Sequence, residues 1–393
     1  MNTLRFNPET LEIEVSGDGF ESFIMNKREG GESSEFPVID RYRLEASLAC
    51  DLACKYCVVH MNKVSQRGTL MSMEIAKEII ARFNKEIGKR GSVVMIGGEP
   101  LLNWEVVQYI ISACEGKVIL FTNAYKLDEE KRDFLRGREV HIIASLDGVS
   151  YEHNRNRFPS VEVFKRVADN IALAAWSGCR IALSCVVNQD NVKDIYAIAE
   201  YFSKDLGVGS ISFAYPHFAR EDVATNDFDM DEYTERIKEL LSFSKQNGVY
   251  IDQLGGKLKS IIRNRVVPYS CKAGISQRAF YPDGRETICT KLDTIKDYNF
   301  DEFLKALPAN NARCSGCIAA NLCGGGCPWD AYMSASEKGI DERICRMNQD
   351  LVGYIIKDIE NEIREARTRE EIERIIAERY LPIINPIWTK QSQ

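Results

Sequence analysis

Tyr42-Arg43-Leu44-Glu45-Ala46-Ser47-Leu48, followed after Ala49 by Cys50-Asp51-Leu52-Ala53-Cys54-Lys55-Tyr56-Cys57, is the stretch on which the reading of this chain turns. The first run reads as a short strand and the second as a loop carrying a C-x₃-C-x₂-C triplet. A helix is expected from Met73, because Ile75, Ile79, Phe83 and Ile87 line one face and Ser72 suits the N-cap. The alternation then repeats. Strand-like runs fall at Ser92–Ile96, Lys117–Phe121, Val140–Ser145, Arg180–Val187 and Ser210–Tyr215. Helical stretches at Trp104–Cys114, Glu129–Leu135, Val161–Ser177 and Asn191–Asp205 separate them, and Asp231–Gln246 follows the last. Six β–α units in a row predict an α/β fold with a parallel sheet, since parallel strands need a crossover and the crossover is usually a helix. Periodicity alone does not separate an open barrel from a doubly wound sheet. In both, loops at the carboxyl ends of the strands converge on one mouth.

Outward from this core the pattern changes. Residues 1–39 are polar, Gly/Glu-rich around Lys27–Glu35, and read as a small cap followed by a loop. Residues 40–264 hold the β–α repeats. Residues 265–348 are rich in Gly and Cys and poor in long helices, so metal is expected to substitute for a core there. Residues 349–393 return to helix: Leu351–Ala366 is amphipathic and Glu370–Arg379 continues it before Pro382 and Pro386. At 393 residues with 45% hydrophobic content the chain can bury two or three packed units. Its net charge of −7 argues against a nucleic-acid or membrane-surface partner, which usually calls for a basic excess. No window has the apolar length of a membrane span and Met1–Thr3 leads into polar sequence, so a cytoplasmic protein is expected.

Thirteen cysteines in such a chain point to metal rather than disulfides. Ten are grouped: Cys50, Cys54 and Cys57, then Cys271, Cys289, Cys314, Cys317, Cys323, Cys327 and Cys345. Cys114, Cys179 and Cys185 stand singly in apolar stretches, where a buried Cys acts as a small hydrophobe. The first triplet can hold three irons of a four-iron cube and leave the fourth open. A zinc site is the alternative, with His60 a conceivable fourth ligand.

The triplet, with Tyr56 just before its last cysteine, resembles the signature of the radical S-adenosylmethionine (SAM) superfamily. Gly97-Gly98-Glu99-Pro100 resembles that family's motif for the SAM amino group; read alone, Gly97-Gly98 is only a strand-ending turn. Phe121-Thr122-Asn123 resembles its Thr-Asn-Gly segment, with Ala124 in place of Gly. Ser145-Leu146-Asp147-Gly148, with His153 and Arg157, resembles a stretch of its peptide-modifying branch. The resemblance covers about residues 41–350 and implies a partial barrel of six β–α units. It implies that Tyr56, Gly97, Gly98, Glu99, Asn123 and Ser145 belong to the SAM site, while Asp147 and Arg157 either contact SAM or stabilise loops. It assigns no catalytic side chain. The chemistry implied is reductive cleavage of SAM to methionine and a 5′-deoxyadenosyl radical that removes a substrate hydrogen, fed by an electron donor such as flavodoxin or ferredoxin.

Cys271-x₁₂-Gly284-x₄-Cys289, Cys314-x₂-Cys317-x₅-Cys323-x₃-Cys327 and Cys345 form a second array. Two tetrahedral zinc sites would also use such cysteines. The whole array resembles the SPASM domain that follows the barrel in many radical SAM enzymes. That likeness implies two auxiliary [4Fe-4S] clusters, hence three in the chain. It assigns Cys271, Cys289 and Cys327 to the inner one and Cys314, Cys317, Cys323 and Cys345 to the outer. Residues 272–277 lack the extra cysteine of some relatives, leaving the inner cluster open to another residue or a substrate thiolate. Thr290 stands where sulfatase-maturating relatives carry an Asp base. The leading expectation is therefore oxidative crosslinking of a ribosomally made peptide, through a thioether or carbon–carbon bond. Peptide maturases often carry a leader-binding domain of ~80 residues; with only residues 1–39 ahead of the first strand, leader recognition would fall to a separate protein. Modification of a protein side chain or of a small molecule such as a porphyrin is the alternative, and a zinc-binding interaction protein the distant one.

Overall fold

The strand Arg41–Ser47 (β4) begins a run of six parallel strands, each joined to the next through a helix. The computed structural model describes residues 2–17, 20–26, 38–57, 59, 68–217, 228–294, 299–334 and 340–388. Strands are numbered along the chain. The others of the run are β5 (Ser92–Gly97), β6 (Lys117–Thr122), β7 (Val140–Ser145), β8 (Ile181–Val186) and β9 (Ser210–Ala214). They lie side by side in chain order and in parallel register, with Arg43 opposite Val94, Val94 opposite Ile119 and Ser47 opposite Gly97. β5 reads Val-Val-Met-Ile at its centre and is buried there on both faces, as a parallel strand under helices should be. The α/β parallel-sheet expectation holds.

The crossover helices are amphipathic on the expected faces. In Met73–Glu86 the Ser72 side chain accepts from Ile75 N–H at 3.3 Å, and Ala76, Ile79, Ile80 and Phe83 are buried. The helices Trp104–Ala113, Glu129–Leu135 and Val161–Trp176 match the sequence reading to within a residue. Asn191–Asp205 resolves into a 3₁₀ turn, Val192–Asp194, and a helix, Ile195–Lys204. Residues 272–298 add two strands that were not expected. β11 (Gln277–Phe280) pairs in parallel with the free edge of β4, Arg278 opposite Tyr42 and Phe280 opposite Leu44, and carries β12 (Glu286–Thr287) antiparallel beside it.

Two compact units divide the chain. One comprises residues 36–228, 272–298 and 387–393 and contains the sheet just described; the other comprises residues 1–35, 229–271 and 299–386. The cysteine-rich segment is shared between them, because β11 is built from it and belongs with β4.

In the second unit β1 (Thr3–Phe6), β2 (Ile13–Gly17) and β3 (Phe20–Ile24) form an antiparallel meander; the expected loop at Lys27–Glu35 lies outside the described residues. β10 (Tyr250–Ile251) lies between the helices Met230–Asn247 and Asp252–Ile262. The helix expected at Leu351–Ala366 is longer and starts earlier, running Glu342–Ile363. Asp341 caps it by accepting from Arg343 N–H, and Ile344 and Met347 extend its buried stripe forward from Leu351. Lys245 binds Asp358 and Glu362 of this helix at 2.8 and 2.7 Å.

Candidate functional site

Gly97 and Gly98 hold the first cysteine loop against the sheet. Gly98 N–H donates to Ser47 O at 2.7 Å and Glu99 N–H to Ala49 O at 2.8 Å, so the end of β5 stays bonded to the chain up to Cys50. A Cβ on Gly97 would lie 2.1 Å from Ser47 O, and one on Gly98 2.2 Å from Ala49 O. Gly97 also has a φ of +127°, which a side chain would strain. The pair is more than a strand-ending turn: the backbones meet there too closely for any side chain.

Glu99 is fully buried. Its carboxylate accepts from Leu101 N–H at 2.9 Å, Thr122 Oγ1–H at 2.8 Å and Asn123 N–H at 2.7 Å. Burial pushes its pKa up to about 7 against these three lowering contacts. Asn123, fixed by Glu99, donates its side-chain N–H to Asp51 at 2.8 Å and points it at Cys50 Sγ, 3.8 Å away. Ala124, in the place of the family's Gly, takes the left-handed conformation that glycine prefers, φ +60°.

Asp147 gathers the other side. It accepts from Arg157 through Nε at 3.0 Å and a terminal nitrogen at 2.9 Å, from Val186 N–H at 2.9 Å and from the Tyr56 hydroxyl. The Arg157 guanidinium also lies over the Tyr56 ring, 5.5 Å from its centroid, and both partners of the ion pair are buried. The Arg157 carbonyl accepts from Cys54 Sγ at 3.8 Å, and Lys55 N–H donates to Asn156 O at 2.9 Å. Burial raises the Cys50 thiol to about 12 and the Cys54 thiol to about 11, Arg157 opposing the latter shift. Without a cation these thiols stay protonated, so metal binding must release protons.

Cys50, Cys54 and Cys57 open onto a cavity of about 550 Å³ at the carboxyl ends of the strands. Of the eight residues expected around SAM, Tyr56, Gly97, Gly98, Asn123, Ser145 and Arg157 line it. Glu99 and Asp147 do not: each is 0% exposed, with its carboxylate taken up by protein donors. Three protein donors take three of the roughly four acceptor positions of Glu99, and one of them fixes Asn123 on the cavity wall. His153 bonds Asp194 at 3.2 Å instead of facing the cavity. His60 lies outside the described residues. The wall also carries Arg41, Arg43, Gln277, Lys291 and His217, which sequence reasoning passed over. A signal was available for the first two: charged residues alternate with Tyr42 and Leu44 along a strand buried on both faces.

The second unit brings four of the other cysteines together locally. Cys314, Cys317, Cys323 and Cys345 are mutual electrostatic neighbours, flanked by Arg313, and Lys257 adjoins Cys323. Cys345 stands in the first turn of Glu342–Ile363, and Gly325 N–H points at Cys323 Sγ from 3.5 Å. Gly324, Gly325 and Gly326 all have positive φ, a run closed to other residues. A Cβ on Gly324 would lie 2.3 Å from Ser270 N. That contact lets Ser270 donate to Gly324 O and Gly326 O, at 2.8 and 2.9 Å, joining the segments that end in Cys271 and Cys327. Cys289 belongs to the sheet-bearing unit. Cys179 and Cys185 are buried as expected, whereas Cys114 is half-buried with its thiol on Gly116 O.

The sequence matches the Radical SAM superfamily over residues 44–202. These residues are a radical SAM domain. The domain takes in the first cysteine loop, the Gly97-Gly98-Glu99 turn and the Asp147 cluster. Among solved structures, native anSMEcpe with bound AdoMet is similar at a TM-score of 0.65 and 20% identity, over 83% of this chain and 99% of that one. Streptococcus suis SuiB bound to its precursor peptide SuiA is similar at a TM-score of 0.58 and 15% identity, over 79% of this chain and 76% of that one. At these identities the likeness is one of fold. The radical SAM cyclopropyl synthase TigE of Paramaledivibacter caminithermalis is 21% identical over 250 residues, 58% of this chain. That match spans half of TigE's own length. No helix among the described residues is long and apolar enough to cross a membrane.

Proposed function

We propose that this chain is a SPASM-type radical SAM enzyme that oxidatively modifies a ribosomally made peptide. The observation that carries the reading is three thiols opening together onto one cavity, beside the tight Gly97-Gly98 turn. The donor set fits an iron–sulfur cluster: three sulfurs on one short loop, and no carboxylate among the described residues lining that cavity. Cys50, Cys54 and Cys57 would hold it. When bound, it supplies the electron that cleaves SAM to methionine and a 5′-deoxyadenosyl radical, drawn from a flavodoxin- or ferredoxin-like donor.

The chain's own part is placement. Glu99 orients Asn123, and Asn123 steadies Asp51 and Cys50, which makes Glu99 a positioning residue. Asp147 locks Arg157 and Tyr56, and through the Arg157 carbonyl steadies Cys54. Ser145 and Asn123 face the cavity from neighbouring strand ends and offer hydroxyl and amide groups to the ribose and amino-acid parts of SAM. Apolar Val94, Ile96, Ile119 and Ile143 line the same space and exclude water from it.

The gathering of Cys314, Cys317, Cys323 and Cys345 supports an outer auxiliary cluster, while the assignment of Cys271, Cys289 and Cys327 to an inner one rests on the cysteine spacing in the sequence. A substrate thiolate fits the remaining ligand position. The Cp18Cys peptide bound to anSMEcpe and the precursor peptide SuiA bound to SuiB support a peptide here; the bond proposed, a thioether or carbon–carbon crosslink, rests on the cysteine array of the sequence.

Anaerobic reconstitution tests the proposal. The expected result is about twelve irons per chain, falling to about eight without Cys50, Cys54 and Cys57, with 5′-deoxyadenosine formed only by the intact protein. Stoichiometric zinc in protein prepared without oxygen overturns it. With the true precursor, a product about two mass units lighter, one thiol fewer and absent from a Cys→Ser precursor supports the thioether; equal crosslinking of that variant excludes it.

A further inference from the structure

Arg43 stands on β4 with its side chain on the cavity wall. Its Nε–H is buried without a hydrogen-bond partner, and no carboxylate among the described residues pairs with it. The contrast with Arg157, on the same wall, is sharp: that guanidinium is neutralised by Asp147. No Asp or Glu among the described residues lines the cavity, while Arg41 and Lys291 add positive charge to it. The guanidinium stays charged and Arg43 is only half-buried, so its donors are open to a ligand that supplies a counter-charge.

Register says which ligand. Ser47, at the end of β4, lies opposite Gly97 of the turn beside the cysteine loop, and Arg43 lies opposite Val94, deeper in the sheet. Four residues of strand separate the two levels by about 13 Å. SAM anchored by its amino acid at the cysteine end would keep its own carboxylate at the level of Ser47 and Gly97, so the counter-charge inferred for Arg43 is one that the substrate brings.

Resting on the radical SAM reading of this site, we infer that Arg43 receives a carboxylate of the peptide substrate, from an acidic side chain or a free C-terminus. Carboxylate geometry matches the guanidinium fork, which gives two parallel hydrogen bonds and fixes the peptide's rotation about its own axis. Arg43 is thus a specificity-determining residue: it selects an acidic group at a set distance from the hydrogen to be removed.

The test uses the anaerobically reconstituted full chain with SAM and three pools of short synthetic peptides. One pool carries an internal Glu and an amidated C-terminus, one is neutral with a free C-terminus, and one is neutral and amidated. Equilibrium dialysis measures retention. A carboxylate pool is expected to be retained about tenfold or more over the neutral amidated pool, and which one it is identifies the source. Arg43→Gln should level the pools, and Arg43→Lys should keep a reduced preference. Equal retention of the three pools by the wild type, including none, overturns the inference whatever the variants do. So does an undiminished preference in Arg43→Gln. Formation of 5′-deoxyadenosine by the wild type without peptide is scored separately. Its absence counts against the radical SAM reading and not against Arg43.

Discussion

Replacing Glu99 by Gln alters one buried atom and should change how stability depends on pH. The carboxylate is fully buried and its pKa is about 7, against an ordinary value of 4.5. The folded chain therefore holds this proton more tightly than the unfolded chain. Wild-type stability is favoured below 4.5, falls as pH rises through the window from 4.5 to about 7, and levels off above it. A shift of that size corresponds to about 3 kcal/mol in full, of which about 1 kcal/mol is lost between about pH 6 and pH 8. Gln does not titrate. Its oxygen can keep Leu101 N–H and Thr122 Oγ1–H, but its amide then opposes Asn123 N–H, at a cost of about 1–3 kcal/mol at every pH. The variant should thus be the less stable at pH 6, by a gap that narrows by about 1 kcal/mol at pH 8. Urea denaturation of the cluster-free protein, followed by tryptophan fluorescence at both pH values, measures it. A gap that stays constant or widens with pH would refute the assignment of a burial-raised Glu99.

Two further substitutions probe the frame of the site. Gly98→Ala puts a Cβ 2.2 Å from Ala49 O, so the reconstituted protein should lose about four irons from the first site while the cysteines of the other unit keep theirs; iron analysis reads this directly. Asp147→Asn leaves the buried Arg157 charge uncompensated and should cost about 3–5 kcal/mol, seen as an earlier urea midpoint, whereas a midpoint within error of wild type would remove Asp147 from its central place.

The β–α repeats were legible because parallel strands buried on both faces read as apolar runs and their helices keep a regular stripe. Val140–Ser145 and Glu129–Leu135 are found where the pattern put them. β11 was not legible: Gln277-Arg278-Ala279-Phe280 carries no apolar run, and its partner β4 lies far back in the chain. What makes it a strand is tertiary pairing, which local pattern does not encode. Motif likeness singled out Glu99 and left Asp147 as either a SAM contact or a loop-stabilising group, and the bonds of Asp147 to Tyr56, Arg157 and Val186 are of the second kind. A buried carboxylate and a ligand-facing one look alike in sequence; only their donors tell them apart. Arg43 hid for the opposite reason, being an ordinary residue type in an alternation that had been read for its apolar half.

Asp147 has one more consequence. Its two oxygens draw together the hydroxyl of the first cysteine loop, the guanidinium after β7 and the backbone of β8, while its own N–H and C=O are held by Asn154 and Asn191. One carboxylate therefore ties the loop of Cys54 and Tyr56 to the ends of two neighbouring strands, so that a change at this single position would be felt by all three segments at once.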